Sequence, residues 1–435
     1  MRPALPAGPF LVVGLARSGM AAARMLTVRG EEVVGVDSGS PIVNLPTFDA
    51  HLGIDGVDLL GERGIRAVVK SPGVPNDAPV VVAARERGIE VVGELELAWR
   101  LLPNRFVAVT GTNGKTTTVE LLGAIWRAAR LPVAVAGNVG TPLSALVGLL
   151  DPAATVICEA SSFQLEDTVA FAPEVAVLLN VEEDHLDRHG DMTSYRAAKD
   201  RIFANQRPEG WAVAPPELVP GGAAAGVGFG HGADADVWAG WIRFRGEPLL
   251  PVGELRLRGA HNLDNALAAA TAALAGGDVP AAAVVAALRS FPGVEHRLEE
   301  VATVGGVLYV NDSKATNPAS ALRGLQAFDG GIHAIFGGSL KGGGFGALRE
   351  EVAARCRAGY LVGEAADRLA ADLEGAAPLV RSGTLEQAVA DAAAAAAPGD
   401  VVLLSPACAS FDAFADYEAR GARFKELVAA LESGE

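Results

Sequence analysis

A seven-residue polar loop, Thr110-Gly111-Thr112-Asn113-Gly114-Lys115-Thr116, follows the apolar run 106–109. It precedes a segment in which Val119, Leu122, Ile125, Trp126 and Ala129 recur at helical spacing. A strand, a glycine-bearing loop and a helix in that order aim the N–H groups of a helix start into the loop, which is how a chain cradles phosphate. Lys115 then offers a point charge to the β- and γ-phosphates, and Thr116 a hydroxyl to Mg²⁺, with Thr117 next in the first turn. Such a loop belongs at the C-terminal edge of a parallel sheet, so the motif constrains the fold as well as the ligand. One position departs from the common phosphate loop: Val109 stands where the first glycine is expected. A tight turn with a helix cap is the alternative.

The rest of the chain repeats that grammar, with short apolar runs that end in polar clusters. The run 10–13 leads into Gly14-Leu15-Ala16-Arg17-Ser18-Gly19, then a helical segment, then a run 33–36 ending at Asp37. That is the order of a dinucleotide fold, but Ala16 replaces the glycine that lets backbone approach a pyrophosphate, so a nucleotide or nucleotide-sugar diphosphate suits this edge better than NAD. The run 67–70 opens into Ser71-Pro72-Gly73. Later, 155–158 ends in Glu159-Ala160-Ser161, 175–179 ends in Asn180 to Asp187, 307–310 ends in Asn311-Asp312-Ser313-Lys314-Ala315-Thr316-Asn317, and 401–404 ends in Ser405 to Asp412. Parallel-sheet geometry puts Glu159 and His185 on the edge that carries the phosphate loop, as candidates for a cation. Lys199, in the amphipathic segment 195–203, reads by spacing as a helix-surface lysine. Residues 215–232 read as loops, and 255–259 as a strand. Asn262 and Asn265 fall one turn apart at the start of a helix over 266–275, able to meet a purine or a phosphate, or merely to cap.

With 435 residues the length suggests roughly three domains at about 150 each. We expect an α/β chain with a Rossmann-like first domain (1–96), a central P-loop ATPase-like parallel sheet (97–298) and a doubly wound Rossmann-like C-terminal domain (299–435). A formal charge of -16 argues against nucleic-acid or anionic-membrane surfaces. Cys158, Cys356 and Cys408 are odd in number and lack metal-type spacing, so reduced cysteines are expected. No run of about 18 apolar residues occurs, and the start, Met1-Arg2-Pro3, lacks a signal-type core; a soluble cytoplasmic protein is the expectation.

Taken together, the loop 110–116, Gly137-Asn138-Val139-Gly140, Glu159 to Leu165, Asn180 to Asp187, His261-Asn262 with Asn265, and His296-Arg297 resemble the Mur ligases, in order and over essentially the whole chain. The motifs 311–317 and 404–412 resemble the branch that adds D-glutamate. That resemblance implies an ATP-dependent amide ligase acting on UDP-N-acetylmuramoyl-L-alanine and D-glutamate through an acyl phosphate. Peptidoglycan synthesis, and with it cell shape and division, would depend on it. It also implies ATP and Mg²⁺ as cofactors and a monomer as the working form. Gly111, Thr112, Asn113, Gly114, Lys115, Thr116 and Thr117 would hold ATP phosphates; Asn262, Asn265, Arg297 and Asp312 the rest of the nucleotide. Thr116, Glu159, His185 and a carbamylated Lys199 would face magnesium, and Lys115, Asn138, His185 and Lys199 the reacting groups. Lys314, Thr316, Lys341, Ser410, Phe411 and Tyr417 would seat D-glutamate. Ser18, Asp37, Ser71, Pro72 and Gly73, with Asn138 and Ser161, would face the UDP-sugar. The chain departs from the family after Asp37, where Ser38-Gly39 stands instead of a Thr-Arg pair, and at Tyr417, where Phe is usual.

Two other readings share part of these features. A folylpolyglutamate synthase-like ligase would have the same phosphate loop without needing a UDP-binding first domain. A nucleotide-gated binding protein would hydrolyse ATP without ligating anything.

Overall fold

The computed structural model describes residues 2–39, 48–276, 279–340 and 343–433. The chain divides into two compact units, residues 1–255 with 264–290, and residues 256–263 with 291–435.

Unit one begins with β1 (Phe10–Val13), β2 (Val33–Asp37), β3 (Asp49–Leu52), β4 (Ala67–Lys70) and β5 (Glu90–Gly93), all parallel in the order β3-β2-β1-β4-β5. The central strands are buried along their whole length, as expected of apolar runs covered on both faces. Its second sheet contains β6 (Phe106–Thr110), β7 (Val133–Gly137), β8 (Thr155–Glu159), β9 (Val175–Leu178), β10 (Trp211–Ala214) and β11 (Ala225–Gly228), again parallel, in the order β11-β10-β9-β6-β8-β7. β6 lies between β8 and β9, in register Val109 with Glu159 and Thr110 with Leu178. Every loop the sequence marked in this region therefore leaves the same edge.

One helix, Glu94–Leu101, belongs to both cores. Leu95, Ala98, Trp99 and, just past its end, Leu102 pack into the core of the second sheet, while Leu97 and Leu101 pack into that of the first. The spacing i, i+3, i+4, i+7 on one face and i, i+4 on the other lets a single amphipathic turn pattern serve two layers.

Unit one also holds three antiparallel strands, β12 (Ala235–Trp238), β13 (Trp241–Phe244) and β14 (Glu247–Pro251). The sequence reading missed this sheet and β11, because the Gly/Ala/Pro composition of 215–232 masks a four-residue strand. It also expected a strand at 255–259, where the chain is irregular, and started the following helix at 266, whereas Ala260–Ala275 is helical. Asn262 and Asn265 are thus inside the helix from its first turns.

Unit two carries β15 (Glu299–Val304), β16 (Val307–Asn311), β17 (Ile332–Gly337), β18 (Cys356–Val362), β19 (Leu379–Gly383) and β20 (Val401–Leu404), in the order β15-β16-β20-β17-β18-β19. Only β15 is antiparallel. Apolar clusters cover both faces, one under the helices that start at Pro318 and Arg349, the other under those at Leu385 and Tyr417. β16, β17 and β20 are adjacent, so the motifs after Asn311, Gly337 and Leu404 meet at one edge. No helix among the described residues is long and apolar enough to cross a membrane.

Candidate active site

The phosphate loop of unit one is braced by the protein's own contacts. Gly111 (φ +155) and Gly114 (φ +83) adopt backbone that L side chains rarely tolerate, and a Cβ on Gly114 would lie 2.1 Å from Asn265 Oδ1. Asn180 braces the loop from the end of β9. Its side-chain oxygen accepts the Asn113 N–H at 2.9 Å, its amide donates to Asn113 O, and its carbonyl accepts the Thr112 N–H. Thr112 Oγ1 lies 3.2 Å from Tyr195 Oη and accepts the Glu182 N–H. The helix Lys115–Ala128 starts directly from the loop without a side-chain cap at Gly114, so its positive end faces the loop. The Thr117 hydroxyl is buried without a hydrogen-bond partner, as are those of Thr110 and Thr118.

Two lysines converge here. Lys115 Nζ donates to Gly111 O and Thr112 O, at 2.9 and 3.0 Å, and Lys199 Nζ donates to the same Gly111 O at 2.8 Å. Lys199 is only 1% exposed, with its ammonium 4.3 Å from the Tyr195 ring. The helix-surface reading of Lys199 is therefore corrected: helical spacing assigns a face, but not which face meets the neighbouring loop. Burial, and then the nearby Lys115 charge, pull the Lys199 amine down to about 7, against a smaller opposing effect of Asp184. The neutral amine is therefore far more populated near pH 7 than in an ordinary lysine.

Beside them, Glu159 at the end of β8 accepts the Thr116 hydroxyl at 2.9 Å on one oxygen and the Asn138 amide at 3.0 Å on the other. Hard oxygen donors of this kind fit Mg²⁺, which keeps several waters and takes few protein ligands. Among the described residues no group of three or more His, Cys, Asp and Glu is close enough to hold a metal by itself. His185 adopts left-handed backbone (φ 52), and its half-exposed ring meets Asp184 and Phe163 rather than Glu159. Ser161 is engaged in a capping box with Gln164.

At the edge of the first sheet, Gly14 is packed under Ser71 and Val74, and Ser71 Oγ donates to Gly14 O at 2.7 Å. Ser18 is in the first turn of the helix Arg17–Val28; Pro72 is half-buried and Gly73 exposed. Asp37 accepts the Leu15 N–H at 2.7 Å and the Gly39 N–H at 2.8 Å, so its carboxylate holds the glycine-rich turn in shape. Behind this edge, the fully buried Lys70 ion-pairs with Asp167 at 2.8 Å and Glu166 at 3.6 Å, and donates to Val74 O. Sequence reading passed over Lys70, Tyr195 and Asn180 as individual residues; a lysine ending an otherwise apolar strand was the one available signal.

In unit two, the turn 294–298 holds two non-glycine residues in left-handed backbone, His296 and Leu298, with Arg297 between them. It is sewn to the end of β16: Asn311 Nδ2 lies 2.9 Å from His296 Nδ1, the Lys314 N–H donates to His296 O, and the Leu298 N–H to Asp312. Burial pushes Asp312 up to about 7, against the Ser405 hydroxyl and Arg297, which both pull it down. His261 is lowered to about 4 by burial and then by the positive charges of Arg297 and Arg323. Asn262 is buried and donates to Arg258 O at 2.7 Å. Thr316 is half-buried one residue before the Asn317 cap, Ser410 is buried, Phe411 is 70% exposed, and Lys314 approaches the Tyr417 ring at 5.6 Å. Lys341 lies outside the described residues.

Residues 109–273 match the profile of the Mur ligase middle domain, and 296–408 that of the Mur ligase, glutamate ligase domain. The chain is 45% identical over 442 residues to a UDP-N-acetylmuramoylalanine–D-glutamate ligase of Acidobacterium capsulatum, covering 97% of this chain and 96% of that one. The chain belongs to the Mur ligase family. Another ligase of the same name, from Solibacter usitatus, is 42% identical over 97% of this chain and 98% of its own. Among solved structures, UDP-N-acetylmuramate-alanine ligase from Thermotoga maritima superposes with TM-score 0.60 at 19% identity, covering 99% of this chain and 100% of its own. A Mur ligase of the same organism solved with ADP, MurF, gives 0.57 at 20% identity over 93% and 96%. At these identities the likeness extends to the fold, the three-domain α/β architecture of Mur ligases.

Proposed function

We propose that this Mur ligase joins D-glutamate to UDP-N-acetylmuramoyl-L-alanine with conversion of ATP to ADP and phosphate, in peptidoglycan precursor synthesis. Near-full-length likeness to ligases of that name supports the substrates, and one observation carries the chemistry. Two lysines meet on the Gly111 carbonyl beside a Thr116–Glu159 pair, a charge arrangement with no use in a structural turn.

Amide formation from a carboxylate in water requires an activated acyl group. The alanine carboxylate attacks the γ-phosphorus of ATP and ADP departs. The D-glutamate amine then attacks the acyl carbon of the resulting acyl phosphate, phosphate leaves, and the amine proton passes to solvent or a base. In this reading the N–H groups from Gly111 to Thr117 hold the phosphates, and Lys115 leaves its two loop carbonyls for phosphate oxygens. Thr116, Glu159 and His185 would hold Mg²⁺, which when bound would neutralise the phosphate charge. The buried Lys199, in its neutral form, would add CO₂ and release one proton to solvent, giving an anionic carbamate whose oxygens could face the metal; as an ammonium it would repel the metal. Asn138 faces the reacting phosphate, with Ser18, Asp37, Ser71, Pro72, Gly73 and Ser161 toward the UDP-sugar. Asn262, Asn265, Arg297 and Asp312 hold the nucleotide; Lys314, Thr316, Lys341, Ser410, Phe411 and Tyr417 seat D-glutamate. We read the domains as 1–96, 97–298 and 299–435, and the protein as a cytoplasmic monomer.

The test is ATP turnover with each substrate omitted in turn. Phosphate release that needs both UDP-N-acetylmuramoyl-L-alanine and D-glutamate, and falls more than about tenfold in Lys115→Ala without loss of melting temperature, is expected. Turnover without either substrate would instead mark a nucleotide-driven switch.

A further inference from the structure

Arg420, in the helix Tyr417–Ser433, is a buried cation at the edge of the unit-two sheet, and the reading above leaves it without a role. A guanidinium has five N–H donors, and here five hydrogen bonds account for them. Nε donates to Ser313 Oγ at 3.0 Å. One terminal nitrogen donates to Gly337 O at 3.4 Å and Ala409 O at 3.2 Å, the other to Ser313 O at 2.9 Å and Cys408 O at 3.1 Å.

These acceptors belong to three separate chain segments. Ser313 follows β16, Gly337 ends β17, and Cys408 and Ala409 follow β20. One side chain thereby ties together the loops that bear Lys314 and Thr316, Gly338 and Ser339, and Ser410. Ser313 Oγ passes the constraint back to the helix start by donating to Tyr417 O at 2.8 Å, and the Ser339 N–H donates to the same Ala409 O that Arg420 engages. The packing leaves no slack, since a Cβ on Gly338 would lie 2.0 Å from Ala409 O and 3.1 Å from the guanidinium.

Its charge is equally informative. Every acceptor is neutral, and among the described residues no carboxylate lies within ion-pairing distance of Arg420. Asp412 acts on it electrostatically, but the Asp412 oxygens are taken by the Ser339 hydroxyl and the Glu364 N–H. Burying a cation against neutral acceptors alone is costly, and a compact fold needing only a loop tie could use neutral donors. A retained positive charge beneath three converging loops makes their outer surface attractive to an anion.

We propose that Arg420 is a positioning residue for the acceptor amino acid, setting the spacing of the Thr316, Ser339 and Ser410 loops and biasing their pocket toward a dicarboxylate. This rests on the functional reading above. The role is indirect, through the carbonyls it holds and the field it supplies, because the side chain is itself covered.

Arg420→Lys keeps the charge but offers at most three donors from one point, and Arg420→Met removes both. In the full-length enzyme, Arg420→Lys is expected to raise the D-glutamate KM about tenfold and Arg420→Met further, with the KM values for ATP and UDP-N-acetylmuramoyl-L-alanine moving less than about threefold. Ser313→Ala removes a single acceptor and should shift the D-glutamate KM in the same direction by a smaller factor, which keeps the test alive if the Arg420 variants do not fold. A lowered melting temperature with all three KM values unchanged would overturn the proposal, as would a rise in the ATP KM equal to that for D-glutamate. Wild-type protein that does not ligate at all would instead refute the functional reading.

Discussion

Lys199 is where structure and chemistry can be tested together. An ordinary lysine, with a pKa near 10.4, is neutral in only about one molecule in a thousand at pH 7.5. The buried Lys199 amine, lowered to about 7, is neutral in roughly three-quarters of molecules at that pH, about six-hundredfold more of the form that can attack CO₂. At fixed CO₂ pressure with ¹³C label, we expect a carbamate carbon resonance that rises with a midpoint near pH 7 and is absent from Lys199→Arg. Lys115→Ala removes the second cause of the shift, so its midpoint should move upward. Lys199→Ala should be nearly inactive and partly restored by short-chain carboxylic acids. The linkage has a definite sign. Because the folded value lies below the unfolded one, the unfolded chain binds more protons between about pH 7 and 10.5, and stability in CO₂-free buffer rises with pH across that window. Lys199→Met should accordingly gain most in melting temperature at or below pH 7. A carbamate signal absent at pH 8, one that first rises near pH 10, or alanine activity close to wild type would refute the reasoning.

Two further outcomes follow from the geometry. Gly114→Ala places a methyl in left-handed backbone and 2.1 Å from the buried Asn265, so ADP affinity should fall at least about tenfold; unchanged binding of a fluorescent ADP analogue would contradict the loop assignment. Asp312 is raised by burial to about 7, so the folded state holds its proton between about pH 4 and 7, and stability is lost as pH rises through that range. Asp312→Asn escapes this loss, at most about 4 kcal/mol, and its melting temperature relative to wild type should be higher at pH 8 than at pH 5; equal differences at both would exclude the mechanism.

The parallel sheets were legible because buried strands read as unbroken apolar runs and their C-terminal ends as polar clusters. Glu159 could be placed on the edge that carries the phosphate loop on that ground alone, since the strands of a parallel sheet end on one side; its pairing with Thr116 follows from the β6–β8 register. Lys199 could not, because helical periodicity does not say what lies opposite a face. Arg420 carried no signal in the sequence: its five acceptors come from segments up to 107 residues away. Asp37 was read correctly as a loop-end acid, yet its partners are the protein's own N–H groups, which spacing to a glycine turn cannot distinguish from a ribose. The antiparallel strands 235–251 escaped because they are partly exposed and interrupted by Asp236, Arg243, Glu247 and Pro248, so they do not read as unbroken apolar runs.

The helix Glu94–Leu101 bears on how freely proteins of this build can exchange parts. It is a connector in sequence, yet its two faces complete two different hydrophobic cores, with Leu97 and Leu101 on one side and Leu95, Ala98 and Trp99 on the other. Cutting or grafting near residue 96 would strip one core of its lid whichever side kept the helix. A first sheet taken from a relative could be transplanted only with this helix and the partners of its second face, so the seam for recombination runs lengthwise between the two faces of one helix.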